Sequence, residues 1–493
     1  MPTIKRDTPI PIYYQLKQLI KEKVAQGTWK PGDQLPSEDK LCERYGISRT
    51  PVRQALTELV HEGLLVRTHG RGTFVAEPTP MQEAAGETVL RVVVSDERWQ
   101  EPLEGAAALW NADHPDDPLG LDFQVVPLSD LRSTLIAAVG RGEAPDISVL
   151  DSVWGAEFAH QQYLYPLDEV DPAWLRNNGE TFFPAVLAAN CYQGQPYGVP
   201  IGADVRVLWY RQDWLAAEGL APPTTWDELV AVGVHFRQPD VRARYGLGPH
   251  PLVFVGGRRG GETTTYQLLP FLWAVGADLI AKGRVVLDSP QSHRAITFLR
   301  SLVHEHHLAS PQVTDYAWDQ AAHTFAAGEA VLALGGTYEG FFIRRMAGWD
   351  EAELLERVGF APIPAGPGGQ PAALVGGMSY VVYRQSRRPE KAASLLELTG
   401  HPEVLKPFCV RTGHVPPRIP VARALNPDED GFLARTIPLL KRARARPSIP
   451  EYARVSEQFQ VLIEDCLTGR RPVDQAVSLT AEKISAITGL SAT

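Results

Sequence analysis

Glycine and proline interrupt the first 76 residues so often that only a small domain of short elements can form there. The spacing of apolar side chains predicts a first helix over residues 10–26, which Gly27 and the pair Pro31-Gly32 end. Its buried face is expected to consist of Ile12, Leu16, Leu19, Ile20 and Val24. A helix this short needs packing partners, so the following segments must supply the rest of a core.

Two more short helices are predicted after the first, separated by a tight turn. Ser37 is a suitable N-cap for a helix over Glu38–Tyr45, and Gly46 is a typical residue at a helix C-terminus. Ser48 can cap a third helix that runs to about Gly63. Its buried face is expected to contain Val52, Ala55, Leu56, Leu59 and Val60. Two helices joined by a turn indicate a helix-turn-helix, whose second helix enters a DNA major groove.

The start of the third helix and the segment after it carry the residues expected to touch DNA. Helix N-termini attract phosphate, and four polar residues cluster at this one, namely Ser48, Arg49, Thr50 and Arg53. Two short apolar strands then flank the Gly-rich turn His69-Gly70-Arg71-Gly72 and predict a β-hairpin wing. Arg71 at the tip of this wing is placed to enter a minor groove or to meet phosphate.

Charge is divided unevenly along the chain. Residues 1–78 carry 12 basic and 9 acidic residues, a net charge of +3, although the whole chain carries −10. The remaining residues therefore carry −13. A small basic domain attached to a large acidic one is typical of a polyanion-binding head on a sensor protein.

Residues 9–76 resemble, without a gap, the DNA-binding domain of the GntR family of bacterial regulators. The matching segments are PIYYQLKQLI, G-x-W-K-P-G-D-Q-L-P-S-E, Y-G-I-S-R-T-P-V-R-Q-A-L, E-G-L-L-x-R and G-R-G-T-F-V. The resemblance implies a winged helix-turn-helix. It also implies DNA contacts from Ser48, Arg49, Thr50, Arg53, His69, Gly70 and Arg71, with Ser37 as a further candidate. Many relatives have arginine where this chain has Asp39, so a DNA contact is not carried over to that position.

The rest of the chain alternates strand-like and helix-like runs, which is the pattern of an α/β fold. A connector over residues 78–89 separates a head (residues 1–77) from a body (residues 90–493). Strand-like runs cover 90–95, 122–128, 146–151, 205–210, 330–335 and 378–383, and helix-like runs cover 103–111, 129–141, 226–236, 292–305 and 388–399. The length of the body favours two lobes.

Several segments of the body resemble, in family order, the solute-binding proteins of sugar ABC transporters, the maltose-binding-protein-like family. They include G-x-A-P-D-I-S-V-L-D-S-V-W-G-A-E-F-A (142–159), Y-x-G-Q-P-Y-G-V-P (192–200), F-A-A-G-E-A-V-L-A-L-G-G-T-Y (325–338) and T-G-H-V-P-P-R (412–418). The resemblance implies a two-lobed, periplasmic-binding-protein-like (type II) domain that closes on its ligand like a hinged clamp. By analogy, lobe 1 takes about 90–202 and 375–424, and lobe 2 takes about 203–374 and 425–493.

Sugars have apolar ring faces edged by hydroxyl groups, so proteins bind them with aromatic side chains and polar hydrogen-bonding groups. The resemblance places Asp204 at the hinge, facing the cleft. Its implied ligand contacts are Trp154, Asp204, Tyr338, Gly377 and Arg411, with Asp151 and Trp273 as weaker candidates. For each aromatic residue the alternative is core packing, because the chain has 11 tryptophans. For Asp151 the favoured alternative is capping a loop.

Other chemistries lack support in the sequence. A pyridoxal-phosphate partner, found in some GntR-family proteins, needs a Schiff-base lysine, and no body lysine has such surroundings. His304 and His307 share a helical face, but the HExxH zinc spacing is absent. No nucleophile elbow or phosphate-binding loop is present. We therefore predict no cofactor, no metal and no enzymatic activity.

The compartment is predicted from what the sequence lacks. The four cysteines have no CxxC or metal-like spacing, which indicates free thiols in a reducing environment. No apolar run is long enough to span a bilayer, and the first residues do not form a signal peptide. We therefore expect a cytoplasmic protein without membrane contact.

Two functions remain as alternatives. In the first, the chain is a transcription regulator that binds a palindromic double-stranded operator as a homodimer, and a small effector, a sugar or oligosaccharide, alters its DNA affinity. In the second, it is a solute-binding receptor of a sugar transporter with a vestigial head. The missing export signal favours the first. The sequence does not show whether the effector releases or recruits DNA.

Overall fold

The computed structural model describes residues 12–25, 29–30, 32–61, 65–68, 72–75, 88–426, 428 and 430–492. The chain forms two compact units. The first comprises Met1–Glu87 with Leu135–Glu143, and the second comprises Thr88–Thr134 with Ala144–Thr493.

The head has the element order expected of a winged helix-turn-helix. Its elements are α1 (Ile12–Ala25), α2 (Glu38–Tyr45), α3 (Arg49–His61), β1 (Leu65–Thr68) and β2 (Gly72–Val75). The two strands form an antiparallel hairpin in which Leu65 is opposite Val75 and Thr68 is opposite Gly72. The predicted helices and wing are confirmed for the part of the head that the structure describes.

Both predicted caps of α2 are formed. The Ser37 hydroxyl accepts a hydrogen bond from the Lys40 backbone N–H at 3.4 Å. At the other end, Gly46 has the left-handed φ of 64° and donates its backbone N–H to the Cys42 carbonyl. Local chemistry therefore sets the ends of this helix, as the sequence indicates.

One core joins the three helices to the wing. Its buried members are Leu16, Ile20, Leu35, Leu41, Ile47, Val52, Ala55, Leu56, Leu59, Leu65 and Val75. The segment before α2 also extends the wing. The Leu35 N–H donates to the Thr73 carbonyl at 2.8 Å, and the Val75 N–H donates to the Asp33 carbonyl at 2.9 Å. Residues 33–35 therefore lie beside β2 as a short third segment of the wing, and this contact holds the chain just before the start of α2.

The described part of the body contains a nine-stranded mixed sheet with helices packed around it, and two separate two-stranded sheets. Its strands are β3 (Thr88–Val94), β4 (Leu119–Val125), β5 (Ile147–Asp151), β6 (Cys191–Tyr192), β7 (Gln195–Pro196), β8 (Gly198–Arg211), β9 (Leu252–Val253), β10 (Ile280–Ala281), β11 (Arg284–Val285), β12 (Leu332–Gly336), β13 (Val358–Ala361), β14 (Leu374–Val382) and β15 (Arg444–Ala445). The order in the nine-stranded sheet is β4-β3-β5-β14-β8-β12-β9, with β13 also paired to β8 and β15 to β14. The two separate sheets are β6-β7 and β10-β11.

The helices of the body are α4 (Glu101–Asp113), α5 (Leu128–Gly140), α6 (Gly155–His160), α7 (Leu167–Val170), α8 (Trp174–Asn178), α9 (Pro184–Ala188), α10 (Gln212–Ala217), α11 (Trp226–Phe236), α12 (Pro239–Tyr245), α13 (Glu262–Trp273), α14 (Pro290–His304), α15 (Gln320–Ala326), α16 (Glu339–Ala347), α17 (Glu351–Arg357), α18 (Pro389–Leu398), α19 (Pro402–Thr412), α20 (Ile419–Arg423), α21 (Gly431–Leu440), α22 (Tyr452–Leu467) and α23 (Val473–Thr488). Among the residues the structure describes, no helix has the length and apolar character needed to cross a membrane.

Strand β8 is the longest strand and changes partners midway. Gly198 to Val205 pair with β14, whereas Arg206 to Tyr210 pair with β12. Strand β13 lies against the last residues of β8, from Leu208 to Arg211. One continuous strand therefore links the two halves of the body. The sequence predicted a strand-like run over 205–210, and the family resemblance implied a separate strand at Y-G-V-P, just before Asp204; the structure joins the two in one strand.

A second apolar core lies in the body, on the part of the mixed sheet formed by β8, β9 and β12. It combines buried residues between Leu208 and Leu374 with residues of α22 and α23 from Val455 to Ile484. The last two helices, α22 and α23, therefore pack against residues 208–374, which were predicted to lie in lobe 2. The exact lobe boundaries remain a prediction. Strand β4 ends at Val125, earlier than expected, because Leu128 already begins α5.

Replacing Gly377 by alanine is predicted to lower the free energy of unfolding of the body by at least about 3 kcal/mol. Gly377 has a φ of 145°, and a Cβ atom there would lie 2.0 Å from the Gly202 carbonyl oxygen, inside the β8–β14 pair. Gly155→Ala is the control, because its Cβ would meet nothing within 4 Å. Thermal unfolding followed by circular dichroism measures both. Equal melting of the two variants would contradict the prediction.

Candidate functional site

The candidate DNA-binding residues of the head are exposed at the start of α3. Ser48, Arg49, Thr50 and Arg53 are all accessible to solvent. Ser37 is also exposed, and its hydroxyl is engaged as the cap of α2. His69, Gly70 and Arg71 lie outside the described residues. The described part of the site therefore consists of the recognition helix and its surroundings.

Two carboxylates from the start of α2 hold the arginines of this face. Arg49 Nη2 lies 2.7 Å from Asp39 Oδ1, and Arg53 Nε lies 2.8 Å from Glu38 Oε2. The second Glu38 oxygen is 3.1 Å from Nη2 of Arg67, on β1. The hydrogen bond and charge of Glu38 raise the pKa of the Arg53 guanidinium. Sequence analysis missed Arg67, because only the fold brings the wing strand beside α2.

In the body, a buried charged cluster surrounds the point where β8 changes partners. Arg206 is 2% exposed, and its Nη2 lies 3.3 Å from Asp204 Oδ2. Its Nη1 lies 3.5 Å from Oε1 of Glu339, which is also 2% exposed. Asp204 Oδ1 accepts a hydrogen bond from the Thr337 hydroxyl at 3.2 Å. The predicted hinge aspartate is therefore bonded within β8 and to the residue that follows β12.

Two tyrosines flank this cluster. The Arg206 guanidinium carbon lies 3.7 Å from the ring centre of Tyr266 and 5.6 Å from that of Tyr338. The Tyr266 hydroxyl donates to the backbone carbonyl of Asp204 at 2.9 Å. Tyr338 follows β12 and is half-buried, so its ring is the more accessible of the two. Cation–π contacts of this kind hold the aromatic rings in fixed orientations.

A second arginine extends the cluster toward lobe 1. The Arg446 guanidinium carbon is 4.4 Å from the centre of the Tyr266 ring, on which Arg206 also stacks. Arg446 Nη1 lies 2.7 Å from Glu262 Oε1, and its Nη2 lies 3.5 Å from Asp151 Oδ1. Asp151 also caps the following turn, because it accepts the Val153 N–H at 3.1 Å. Asp151 therefore has the capping role that the sequence favoured, and it also belongs to the charged cluster.

Glycines make room for these charged groups. A Cβ atom on Gly336 would lie 2.6 Å from Asp204 Oδ1, and one on Gly376 would lie 2.6 Å from both Arg446 Nη2 and the Tyr266 hydroxyl. The paired glycines in the A-L-G-G-T-Y and L-V-G-G-M-S-Y segments therefore serve packing around the cluster. Gly377, a predicted ligand contact, lies on β14 opposite Ala203 of β8.

The other predicted ligand residues lie in different settings. Trp154 is half-buried in the single turn Ser152–Trp154 that Asp151 caps. Arg411 is half-exposed and forms an ion pair with Glu101. Trp273 belongs to the second core, where its indole N–H donates to Asp278 Oδ1 at 3.0 Å and Arg444 stacks on its ring. The structure therefore gathers Asp204, Tyr338 and Asp151 in one cluster and assigns Trp273 to packing.

Sequence analysis missed several members of the cluster. They are Arg206, Glu339, Tyr266, Arg446 and Glu262. One signal was available, because Arg206 is a charged residue inside the apolar run V-R-V-L-W-Y. An arginine in a buried strand requires carboxylate partners. Arg446 gave no comparable signal, since it is separated from Glu262 by 184 residues.

Burial raises the pKa of two carboxyl groups in the cluster. Four carboxylates (Asp204, Glu339, Asp151 and Glu262) surround the guanidinium groups of Arg206 and Arg446. Burial raises the pKa of Glu339 to about 7 despite the charge of Arg206. Burial likewise raises the pKa of Asp151.

His414 lies beside the cluster, within an aromatic group. Its ring centre is 5.1 Å from Trp99, 5.9 Å from Phe408 and 6.4 Å from Tyr338. Desolvation lowers the pKa of His414 to about 4. A crevice beside this group is lined by Gly340, Phe341 and Arg344 from one side and by Val410 and Gly413 from the other.

The described residues contain no group of three or more His, Cys, Asp or Glu side chains that could hold a metal ion. His304 is engaged in another way, since its Nε2 lies 2.7 Å from the Leu467 carbonyl oxygen. The four cysteines are free, and Cys409 and Cys466 are buried.

The fold and the cluster define a two-lobed binding protein carrying a helix-turn-helix head. Residues 94–403 match the family "Bacterial extracellular solute-binding protein", and residues 12–75 match "Bacterial regulatory proteins, gntR family". The chain therefore belongs to the bacterial extracellular solute-binding protein family, with a GntR-family domain at its N-terminus.

Similar proteins fall into the same two groups. The HTH-type transcriptional repressor NagR of Bacillus subtilis is 49% identical over 85 residues, which cover 17% of this chain and 35% of NagR. A Brucella abortus protein named as a binding protein is 25% identical over 405 residues, covering 82% of this chain and 93% of its own length. The solved structure of T. maritima MalE3 with maltose bound has a TM-score of 0.68 and 25% identity, covering 81% of this chain and 100% of MalE3.

Protonation of His414 is predicted to destabilise the body in acid. The folded protein binds fewer protons at His414 than the unfolded chain between pH 6.5 and about 4, because desolvation lowers its folded-state pKa. This contribution is fully present above pH 6.5 and is lost as the pH falls toward 4, by up to about 3 kcal/mol. His414→Asn should flatten that part of the curve of unfolding free energy against pH, measured by urea denaturation. An unchanged slope would contradict the prediction.

Proposed function

We propose that this protein is a transcription regulator whose affinity for operator DNA changes when a small ligand binds in the body. The observation that carries the proposal is the position of the Asp204–Arg206–Glu339 cluster at the partner change of β8. A ligand that contacts this cluster and also Asp151, at the end of β5, would touch both halves of the body at once. It therefore binds one relative arrangement of the halves more tightly than another, which is the requirement for control.

The chemistry of the cluster supports a carbohydrate ligand, a sugar or oligosaccharide. Tyr338 and Trp154 are half-buried aromatic side chains that offer faces to a sugar ring. Asp204 and Glu339 supply carboxylate oxygens for hydroxyl groups. The likeness to a structure with maltose bound supports the same class. Arg411 remains a candidate at the edge of the site, and Trp273 is the weakest candidate because its indole is already bonded in the core.

The head supplies the DNA contacts in this proposal. Arg49 and Arg53 are exposed on α3, the helix that enters the major groove in proteins of this architecture. We further propose that two copies bind the two halves of a palindromic operator as a homodimer in the cytoplasm. The alternative, a transport receptor, has support from the binding-protein relatives, but it leaves the confirmed helix-turn-helix without a task.

Arg49→Ala is predicted to weaken binding to a selected operator at least about tenfold at physiological salt, because it removes a groove or phosphate contact. Fluorescence anisotropy with the full chain measures the affinity. Arg345→Ala, an exposed arginine of α16, serves as the control and should leave the affinity unchanged. Unchanged operator binding by Arg49→Ala would show that α3 is not the recognition helix.

Tyr338→Ala is predicted to abolish the response of DNA binding to the effector without changing DNA affinity in its absence. The effector is first found by thermal shift against a panel of mono- and oligosaccharides. Linkage requires that saturating DNA change effector affinity by the same factor by which the effector changes DNA affinity. Trp318→Ala is the matched control, because that aromatic residue is 49% exposed. If no carbohydrate binds, or if binding leaves DNA affinity unchanged, the proposal is refuted.

A further inference from the structure

The recognition face of the head carries negative as well as positive charge. Three arginines, Arg49, Arg53 and Arg67, are within hydrogen-bonding distance of two carboxylates, Glu38 and Asp39. If all five groups are ionised, only one net positive charge remains on this set. A face that binds a polyanion would bind more tightly without such carboxylates. Their presence therefore calls for a function.

We propose that Asp39 sets the DNA affinity and the salt dependence of the head by competing with DNA for the guanidinium of Arg49. This inference rests on the proposed function, because it assumes that Arg49 contacts DNA. Asp39 acts as a positioning residue in this role, since it works through Arg49 and makes no DNA contact of its own.

The geometry of the Asp39–Arg49 pair suits exchange. The two side chains are 68% and 64% exposed, and Nη2 of Arg49 lies 2.7 Å from Oδ1 of Asp39. Exposed ion pairs of this kind are weak, because water and salt screen them. An incoming phosphate or base edge can therefore take the guanidinium. Asp39 also belongs to the first turn of α2. The helix therefore holds its backbone in place when the ion pair with Arg49 opens.

Glu38 differs from its neighbour and holds its arginines in place. Its side chain is only 28% exposed, and its two oxygens bind two arginines, one from α3 and one from β1. Opening this bridge would free two cations and uncover a partly buried carboxylate, which costs more than opening the Asp39 pair. Glu38 therefore orients Arg53 and Arg67, whereas Asp39 neutralises a single arginine that remains free to exchange.

Exchange at Arg49 has a measurable consequence for the salt dependence of binding. When DNA takes Arg49, one counterion leaves the DNA, but Asp39 is left facing phosphates and attracts a cation from solution. The two effects nearly cancel in the wild-type protein. Without the Asp39 charge, the cation is no longer taken up, and the full counterion release of Arg49 appears in the slope.

The test compares Asp39→Asn with Glu43→Gln in the full chain. Glu43 is exposed on the same helix, so its replacement removes the same charge away from the pair. A duplex is first selected from a random-sequence library, and its affinity is then measured between 50 and 300 mM KCl, on the order of physiological salt. Asp39→Asn is expected to raise affinity about fivefold at 100 mM KCl and to steepen the salt slope by about 0.9. Glu43→Gln should raise affinity less than twofold and leave the slope unchanged.

The same substitution in an Arg49→Ala background separates this inference from the proposed function. There, Asp39→Asn is expected to lose its affinity advantage over Glu43→Gln, because no guanidinium remains to compete for. If the gain of Asp39→Asn equals that of Glu43→Gln, or persists without Arg49, general charge explains it and the inference is overturned. If Arg49→Ala binds DNA as wild type does, the proposed recognition helix itself is wrong.

Discussion

The buried pair of Arg206 with Asp204 and Glu339 is the interaction on which the body depends. It lies where β8 leaves β14 and joins β12, so a buried charged group stands among the apolar side chains at the strand crossing. Burying a guanidinium is unfavourable unless carboxylates surround it, and removing one partner of a buried pair costs about 3–5 kcal/mol. The fold therefore depends on these charges being brought together.

Head and body use the same chemical pair under different conditions. In the head, Asp39 of α2 meets Arg49 at an exposed surface, where the pair contributes little stability. In the body, the same groups are desolvated, and burial moves the pKa of Glu339 to about 7. Solvent exposure thus distinguishes a pair that can exchange partners from one that fixes an arrangement.

The head could be predicted almost completely from its sequence, because its determinants are local. Ser37 and Gly46 mark the ends of α2, and apolar residues three and four positions apart define the buried faces of α1 and α3. The body was predicted at the level of alternating strands and helices. Its buried charged cluster was predicted in part: Asp204 and Tyr338 were named through a family resemblance, and Arg206 could have been found as a charge in an apolar strand.

The sequence by itself determined the order of the elements, the caps of the head and the α/β character of the body, since periodicity and capping act over only a few residues. Only the tertiary structure decided which charges meet. Arg446 reaches Glu262 and Asp151 from far along the chain, Arg67 reaches Glu38 across the wing, and Trp273 turns into the core. Such contacts depend on how strands and helices pack in space, and no spacing along the sequence encodes that packing.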